Sequence, residues 1–276
     1  MMKSESDRVN PPAEPSTPLG QTPDFFTAEH LDRRRRAMAQ YAGWQGADDL
    51  DPKTPAGHAY GVRVSSRLSG EFKRTHRKLA MDISPQDVID VLKAAGVKNW
   101  ALMGLHGYVG YLPSPRATQD VDVMVPYRQR QRAVKAIRRA WPELVLRELS
   151  QVVRFLDPQD RDAAGRPKPV IDLMLPGAKF QQTILDEYIV IDEPTGHSIP
   201  RLEAALVCKY AAMISPHRDP DKRGYDCADF RVMVRANEKA IHRDDLRRLA
   251  GQVWEGGPEE IERFLEIALG NRPFPL

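Results

Sequence analysis

Apolar positions first fall into a regular order at Ser84-Pro85-Gln86-Asp87. This stretch supplies a cap, a first-turn proline and a first-turn acid to a helix carrying Val88, Val91 and Leu92, and Gly96 ends that helix. Residues 100–103 predict a short buried strand, residues 104–112 a turn and short helix, and residues 120–125 a second strand in which acids alternate with valines. Residues 128–141 predict a basic amphipathic helix, and residues 144–149, 152–156 and 170–175 three further strands. Beyond Pro200 only helical periodicity remains, over residues 201–214, 225–236, 244–253 and 258–269. The pattern predicts an α/β core over residues 83–200 and a helical C-terminal part over 201–276, with no internal repeat.

Ahead of this, Pro11, Pro12, Pro15, Pro18 and Pro23 stand among Ser, Thr, Glu and Asp. Such a composition buries too little apolar surface to offset chain entropy and predicts a disordered tail to about residue 24. Residues 25–46 hold one candidate helix, broken by Asp48, Asp49, Asp51, Pro52 and Pro55. Arg63, Arg67, Lys73, Arg74, Arg77 and Lys78 have few apolar neighbours, so that stretch reads as a linker or a loosely held basic arm, the linker being the ordinary reading. Residues 1–82 are thus expected to be a largely disordered or loosely structured extension.

Composition narrows the class. The chain has 276 residues, 41% of them hydrophobic, which is room for a real core. No apolar run approaches the roughly 20 residues of a membrane span, so a soluble protein is expected. Forty-one Lys and Arg against 38 Asp and Glu leave a formal charge of only +3, which permits a nucleic-acid partner without demanding one. Two cysteines, Cys208 and Cys227, make neither a disulfide framework nor a four-ligand zinc site, and the N-terminus lacks a signal-peptide core; the cytoplasm is the expected compartment.

Acidic pairs spaced i, i+2 are cheap, since 38 acids in this length give about five by chance. Asp120 and Asp122 differ from the loop pairs because they alternate with Val121 and Val123, so a strand points both carboxylates to one face. Carboxylates held together beside a core repel each other and raise each other's pKa unless a cation lies between them. Asp172 interrupts Val170-Ile171-Asp172-Leu173-Met174-Leu175, otherwise apolar, and an unpaired buried Asp is expensive. If the two strands are neighbours, three carboxylates converge as a metal site requires; otherwise Asp172 pairs with a buried arginine or caps a turn.

Several weaker signals surround these acids. Met103-Gly104-Leu105-His106 joins a strand to a helix, where glycine lets the backbone approach a phosphate, and His106 is a weak candidate base. Arg116 lies just before the acidic pair and can reach phosphate or stay in a surface turn. Lys209 is set among Leu206, Val207, Ala211 and Ala212, so its stem either snorkels along the core or carries the ammonium into a cleft. Asp226 and Asp229 lie one turn apart beyond a loop rich in His217, Arg218, Lys222 and Arg223.

Residues 101–104, the stretch Arg116-Ala117-Thr118-Gln119-Asp120-Val121-Asp122, and residues 170–173 resemble the nucleotidyltransferase superfamily. The likeness is greatest to the minor nucleotidyltransferases grouped with AbiEii-type abortive-infection toxins, and extends to aminoglycoside nucleotidyltransferases. It covers about residues 100–234. The resemblance implies a mixed β-sheet flanked by helices. It also implies Mg²⁺ and an NTP held by Asp120, Asp122 and Asp172, with Gly104 and Leu105 at the nucleotide turn and Arg116 and Lys209 as phosphate contacts. The implied activity is transfer of an NMP to a hydroxyl of a tRNA, protein or small molecule, with a toxin–antitoxin or phage-defence setting, a partner protein and RNA all possible. Leu105 departs from the family, which has a second small residue there. Its bulk raises the alternative of a non-catalytic nucleotide-binding or interaction protein that keeps the fold.

Overall fold

A computed structural model describes residues 27–29, 31–34, 57–77 and 79–276, so the predicted N-terminal tail lies outside the described residues. The chain divides into two units, Met1–Leu50 and Asp51–Leu276. In the first, Ala28, Glu29 and Leu31 to Arg34 are helical, within the stretch expected to hold a helix.

The centre of the second unit is a five-stranded mixed sheet of β1 (Ala101–Leu102), β2 (Val121–Met124), β3 (Val145–Glu148), β4 (Val152–Arg161) and β5 (Pro167–Met174). The order is β1-β2-β5-β4-β3, with β2 and β5 parallel and every other pair antiparallel. The parallel pair places Asp122 directly beside Asp172, confirming that the two acid-bearing strands are neighbours. One face of the sheet is apolar: Val121, Val123, Val153, Phe155, Ile171 and Leu173 pack against α2 (Pro85–Ala94) and α4 (Arg130–Ala140) through Val88, Ile89, Leu92, Ala133 and Ile137. The strand pleat sends Asp122, Asp172 and Arg154 to the other face. The predicted cap of α2 is present as a capping box between Ser84 and Asp87.

A second core joins α3 (Gly104–Tyr108) to α5 (Lys179–Glu187), α6 (Leu202–Ile214), α7 (Pro220–Asn237), α8 (Arg243–Ala250) and α9 (Gly257–Leu269). Leu105, Tyr108 and Leu112 enter the same cluster as Tyr210, Phe230 and Phe264, so the C-terminal helices are packed onto the sheet's first turn. Between α5 and α6 runs a hairpin, β6 (Ile189–Asp192) and β7 (His197–Pro200), which the sequence pattern did not single out.

The basic stretch expected as a linker is a correction. His58–His76 form the helix α1, nineteen residues long. Its inner stripe is built from Gly61, Ser65 and Gly70 instead of large apolar residues, which is why the segment reads as solvated. A Cβ at Gly61 would lie 2.9 Å from Val109 Cγ1, so the small residue sets how closely α1 approaches. Among the described residues no helix is long and apolar enough to cross a membrane.

Candidate active site

Asp120, Asp122 and Asp172 each offer a carboxylate oxygen, and these oxygens lie within 4.8 Å of one another. Strand register fixes Asp122 and Asp172, while Asp120, at the mouth of β2, is oriented by Thr118, whose hydroxyl donates to its Oδ1 at 3.2 Å. Arg154, opposite Asp172 in β4, donates from Nε to Asp172 Oδ2 at 3.2 Å. The other oxygen, Asp172 Oδ1, is buried without a hydrogen-bond partner among the described residues.

The electrostatics follow from this crowding. Burial, then repulsion from Asp120 and Asp172, holds the Asp122 carboxyl well above the usual carboxylate range. Burial pushes Asp172 up to about 6, with Arg154 opposing and Asp120 reinforcing the shift. Three carboxylates with one orphaned oxygen are a donor set that a hard divalent cation satisfies, so the residues present fit a metal.

Gly104 fits against this group. It adopts φ +54°, and a Cβ there would stand 1.8 Å from Asp122 Oδ2. Both the backbone conformation and the contact therefore require glycine. Gly104 and Asp122 also line a cleft of about 590 Å³ with Met103, Tyr108, Lys209 and Arg218. Asp120 borders a smaller polar pocket of about 250 Å³ with Ser69, Lys73 and His106, so the carboxylates are reached from two sides.

Leu105, the second residue of the turn, is 4% exposed and belongs to the second core, and it does not line the cleft. The bulk that the sequence raises as an obstacle therefore lies in the core and outside this cleft. His106 is buried, and burial lowers its pKa to about 3, which leaves a neutral imidazole.

Arg116 and Lys209 meet at Asp229. Lys209 Nζ donates at 2.8 Å to Asp229 Oδ2 and at 2.8 Å to Asp226 Oδ1, and lies 4.6 Å from the centre of the Tyr108 ring. Arg116 Nη2 donates to Asp229 Oδ2 at 2.8 Å, Tyr108 donates to the same oxygen at 2.6 Å, and Arg218 Nε donates to Asp226 Oδ2 at 2.7 Å. Burial alone would raise Asp229, but Lys209, Arg116 and Tyr108 hold it below the usual range. Three cations thus share two carboxylates, leaving one net positive charge beside the cleft. The i, i+3 spacing of Asp226 and Asp229 hinted at this cluster. Arg218 belongs to the basic loop that the sequence offers beside these acids, and Arg154 is the arginine partner that the sequence offers Asp172 without naming it; the part of Tyr108 carried no sequence signal, since it depends on a helix crossing set by the fold.

No family model and no curated protein matches the chain. Among solved structures, an antigenic nucleotidyltransferase-like protein from Paracoccidioides brasiliensis is 14% identical, with 77% of this chain and 95% of that chain covered and a TM-score of 0.38. Terminal uridylyl transferase 4 from Trypanosoma brucei, with bound GTP, is also 14% identical, with 76% and 98% covered and a TM-score of 0.26. Scores this low carry no weight for family or activity, and the functional reading rests on the side chains above.

Proposed function

We propose that the chain is a Mg²⁺-dependent nucleotidyltransferase, moving an NMP from an NTP to a hydroxyl of its acceptor. The observation that carries this reading is the register pair Asp122 and Asp172 with Asp120, three carboxylates with one buried, unpartnered oxygen on Asp172, of which Asp122 lines the cleft. Bound there, Mg²⁺ would supply charge neutralisation for the nucleotide phosphates and the departing pyrophosphate.

The chain's own groups supply the rest. Gly104 lets the backbone lie against Asp122 where a side chain would displace that carboxylate. Lys209 and Arg218 border the cleft, and with Arg116 they give the surplus positive charge that favours a polyanion there. Arg154 fixes Asp172 through Oδ2 and leaves Oδ1 either as a further metal ligand or as acceptor of the attacking hydroxyl's proton. A carboxyl pushed up to about 6 suits the second role near neutral pH. The alternative of a non-catalytic nucleotide-binding protein was motivated by Leu105, whose side chain is in the core. A place in a toxin–antitoxin pair has only the sequence resemblance behind it.

The test is to titrate the protein with each of the four NTPs, with and without Mg²⁺, following thermal stabilisation and pyrophosphate release. A ligand at 100 times its dissociation constant adds about 2.7 kcal/mol. The expected result is a Mg²⁺-dependent shift with at least one NTP, lost in Asp122→Asn, together with pyrophosphate release. A shift without pyrophosphate release under any acceptor condition, water included, favours the non-catalytic reading, and no shift at all removes both.

A further inference from the structure

α4 presents an unusual solvent face. Arg128, in the turn that precedes it, and Arg132, Lys135 and Arg139 recur at i, i+4, i+7 and i+11, so they form one stripe roughly 16 Å long. All four are exposed, as is Arg138 beside them, and among the described residues none of the five lies within ion-pairing distance of a carboxylate. The opposite side of the helix, Ala133 and Ile137, is fully buried against the sheet. Between α4 and the edge strand β3 lies a groove of about 440 Å³ lined by Arg130, Gln131, Val134, Lys135, Arg138, Arg139 and Glu148; Arg128 and Arg132 continue the stripe outside it, Arg132 donating to the Gly96 carbonyl at 3.2 Å. Arg130 is ion-paired to Glu148, which neutralises the acid in the groove and leaves the remaining cations uncompensated.

We propose that this groove is a docking surface for a single strand of RNA. Uncompensated cations at regular spacing repel one another in the free protein and are relieved by a polyanion whose charges repeat along a line. Arginine predominates, and its fork matches phosphate oxygens better than the point charge of lysine. A lipid surface fits poorly, because the buried side of α4, Ala133 and Ile137, is spent on the core, and Tyr127 and Val134 beside the stripe are scattered single apolar residues and not an inserting face. A groove, unlike a ridge, tracks one backbone instead of entering a duplex groove. Gln131 and Glu148 place oxygen acceptors among the cations, and these match a 2′-hydroxyl, which DNA lacks. The groove is formed by the side of the sheet away from the carboxylates, so the surface stands whether or not the carboxylates transfer a nucleotide.

The probe is a fluorescein-labelled 12-nucleotide oligouridylate, followed by anisotropy in EDTA without NTP, so that the acidic site takes no part. Saturable binding is expected, with log K falling against log salt at a slope of about −3, as four or five phosphate contacts on a single strand require. The triple variant Lys135→Glu, Arg138→Glu, Arg139→Glu should bind at least about tenfold more weakly with a visibly flatter slope. A control triple of equal charge change, Arg235→Glu, Lys239→Glu, Arg263→Glu, should bind as the parent does. Thermal midpoints of both triples check that the fold is kept, and a misfolded triple is replaced by the single variant Arg139→Glu, expected to lower the slope by about one. Absent saturable binding, equal loss in both triples, equal affinity for the matching oligothymidylate, or binding to phosphatidylserine vesicles in place of RNA each overturns the proposal.

Discussion

Asp122 and Asp172 stand side by side on parallel strands, each the register partner of the other, though they are far apart in the chain. The backbone hydrogen bonds of β2 and β5 hold the two carboxylates together, so the cost of their repulsion is met by the sheet. The three carboxylates are therefore pre-assembled by the fold, and their mutual repulsion is built into the folded chain.

That strain makes the free protein sensitive to pH in a definite direction. Asp172 is pushed up to about 6 from an ordinary value near 4, so between those limits the folded chain keeps a proton that the unfolded chain has released. Without divalent cation this contribution is present at low pH and is lost as pH rises through that window, at no more than about 1.4 kcal/mol per unit. Asp172→Asn removes the titration. In EDTA the variant should gain thermal stability relative to the parent between pH 4 and 7, and a divalent cation should reverse the order above pH 6. A difference independent of pH would show that Asp172 is not held in this way.

Gly104→Ala should cost about 1–2 kcal/mol from its left-handed backbone alone. The new Cβ also displaces Asp122, so cation affinity should fall more than the stability loss explains. Isothermal titration with Mn²⁺ separates the two effects, and unchanged affinity would mean that Asp122 lies outside the cation site.

The cluster around Asp229 predicts an asymmetry. Asp229→Asn removes the carboxylate that Lys209, Arg116 and Tyr108 all share, leaving the buried Lys209 ammonium under-compensated, and should destabilise by about 3 kcal/mol. Lys209→Met leaves Asp226 with Arg218 and Asp229 with Arg116, so it should cost less than half as much. Urea unfolding of both variants checks the order.

Much of this was legible in the residues and some was not. The acids were readable because a charged side chain in an apolar strand pattern has few explanations, and the valines around Asp120 and Asp122 fixed their common face. The helix α1 was not readable, because its buried stripe of Gly61, Ser65 and Gly70 has no hydrophobic periodicity to detect. Lys209 stands out in the sequence as a lysine among apolar neighbours, but its partners lie on α7, and helix crossings are not written in local spacing. The sequence offers the bulk of Leu105 as an obstacle at the turn, but the direction of that side chain depends on where the C-terminal helices pack.

Acid should weaken the attachment of α1. His58 Nε2 and His197 Nδ1 are 3.0 Å apart, and His197 Nε2 is 2.9 Å from Gln86 Oε1, so two neutral rings share one chain of hydrogen bonds. Burial first, then His197, lowers His58 to about 4. Unfolded histidines take up protons near 6.5, so stability contributed here is present at neutral pH and is lost as pH falls from about 6.5 toward 4. His58→Gln should flatten that decline. Hydrogen exchange along α1 at pH 7 and 5 reads the effect directly, and identical protection at both would refute it.

Anyone wishing to express the sheet by itself would be drawn to cut the chain near Pro200, where strands give way to helices. Such a fragment would keep Tyr108 and Arg116 while discarding the carboxylate that both of them grip, and Leu105 and Leu112 would face water in place of the aromatic rings of α7 and α9. The polar knot at Asp229 thus ties an early turn of the polypeptide to one of its late helices. Deletion series, split reporters and domain swaps built on this molecule must carry both ends of that tie or neither.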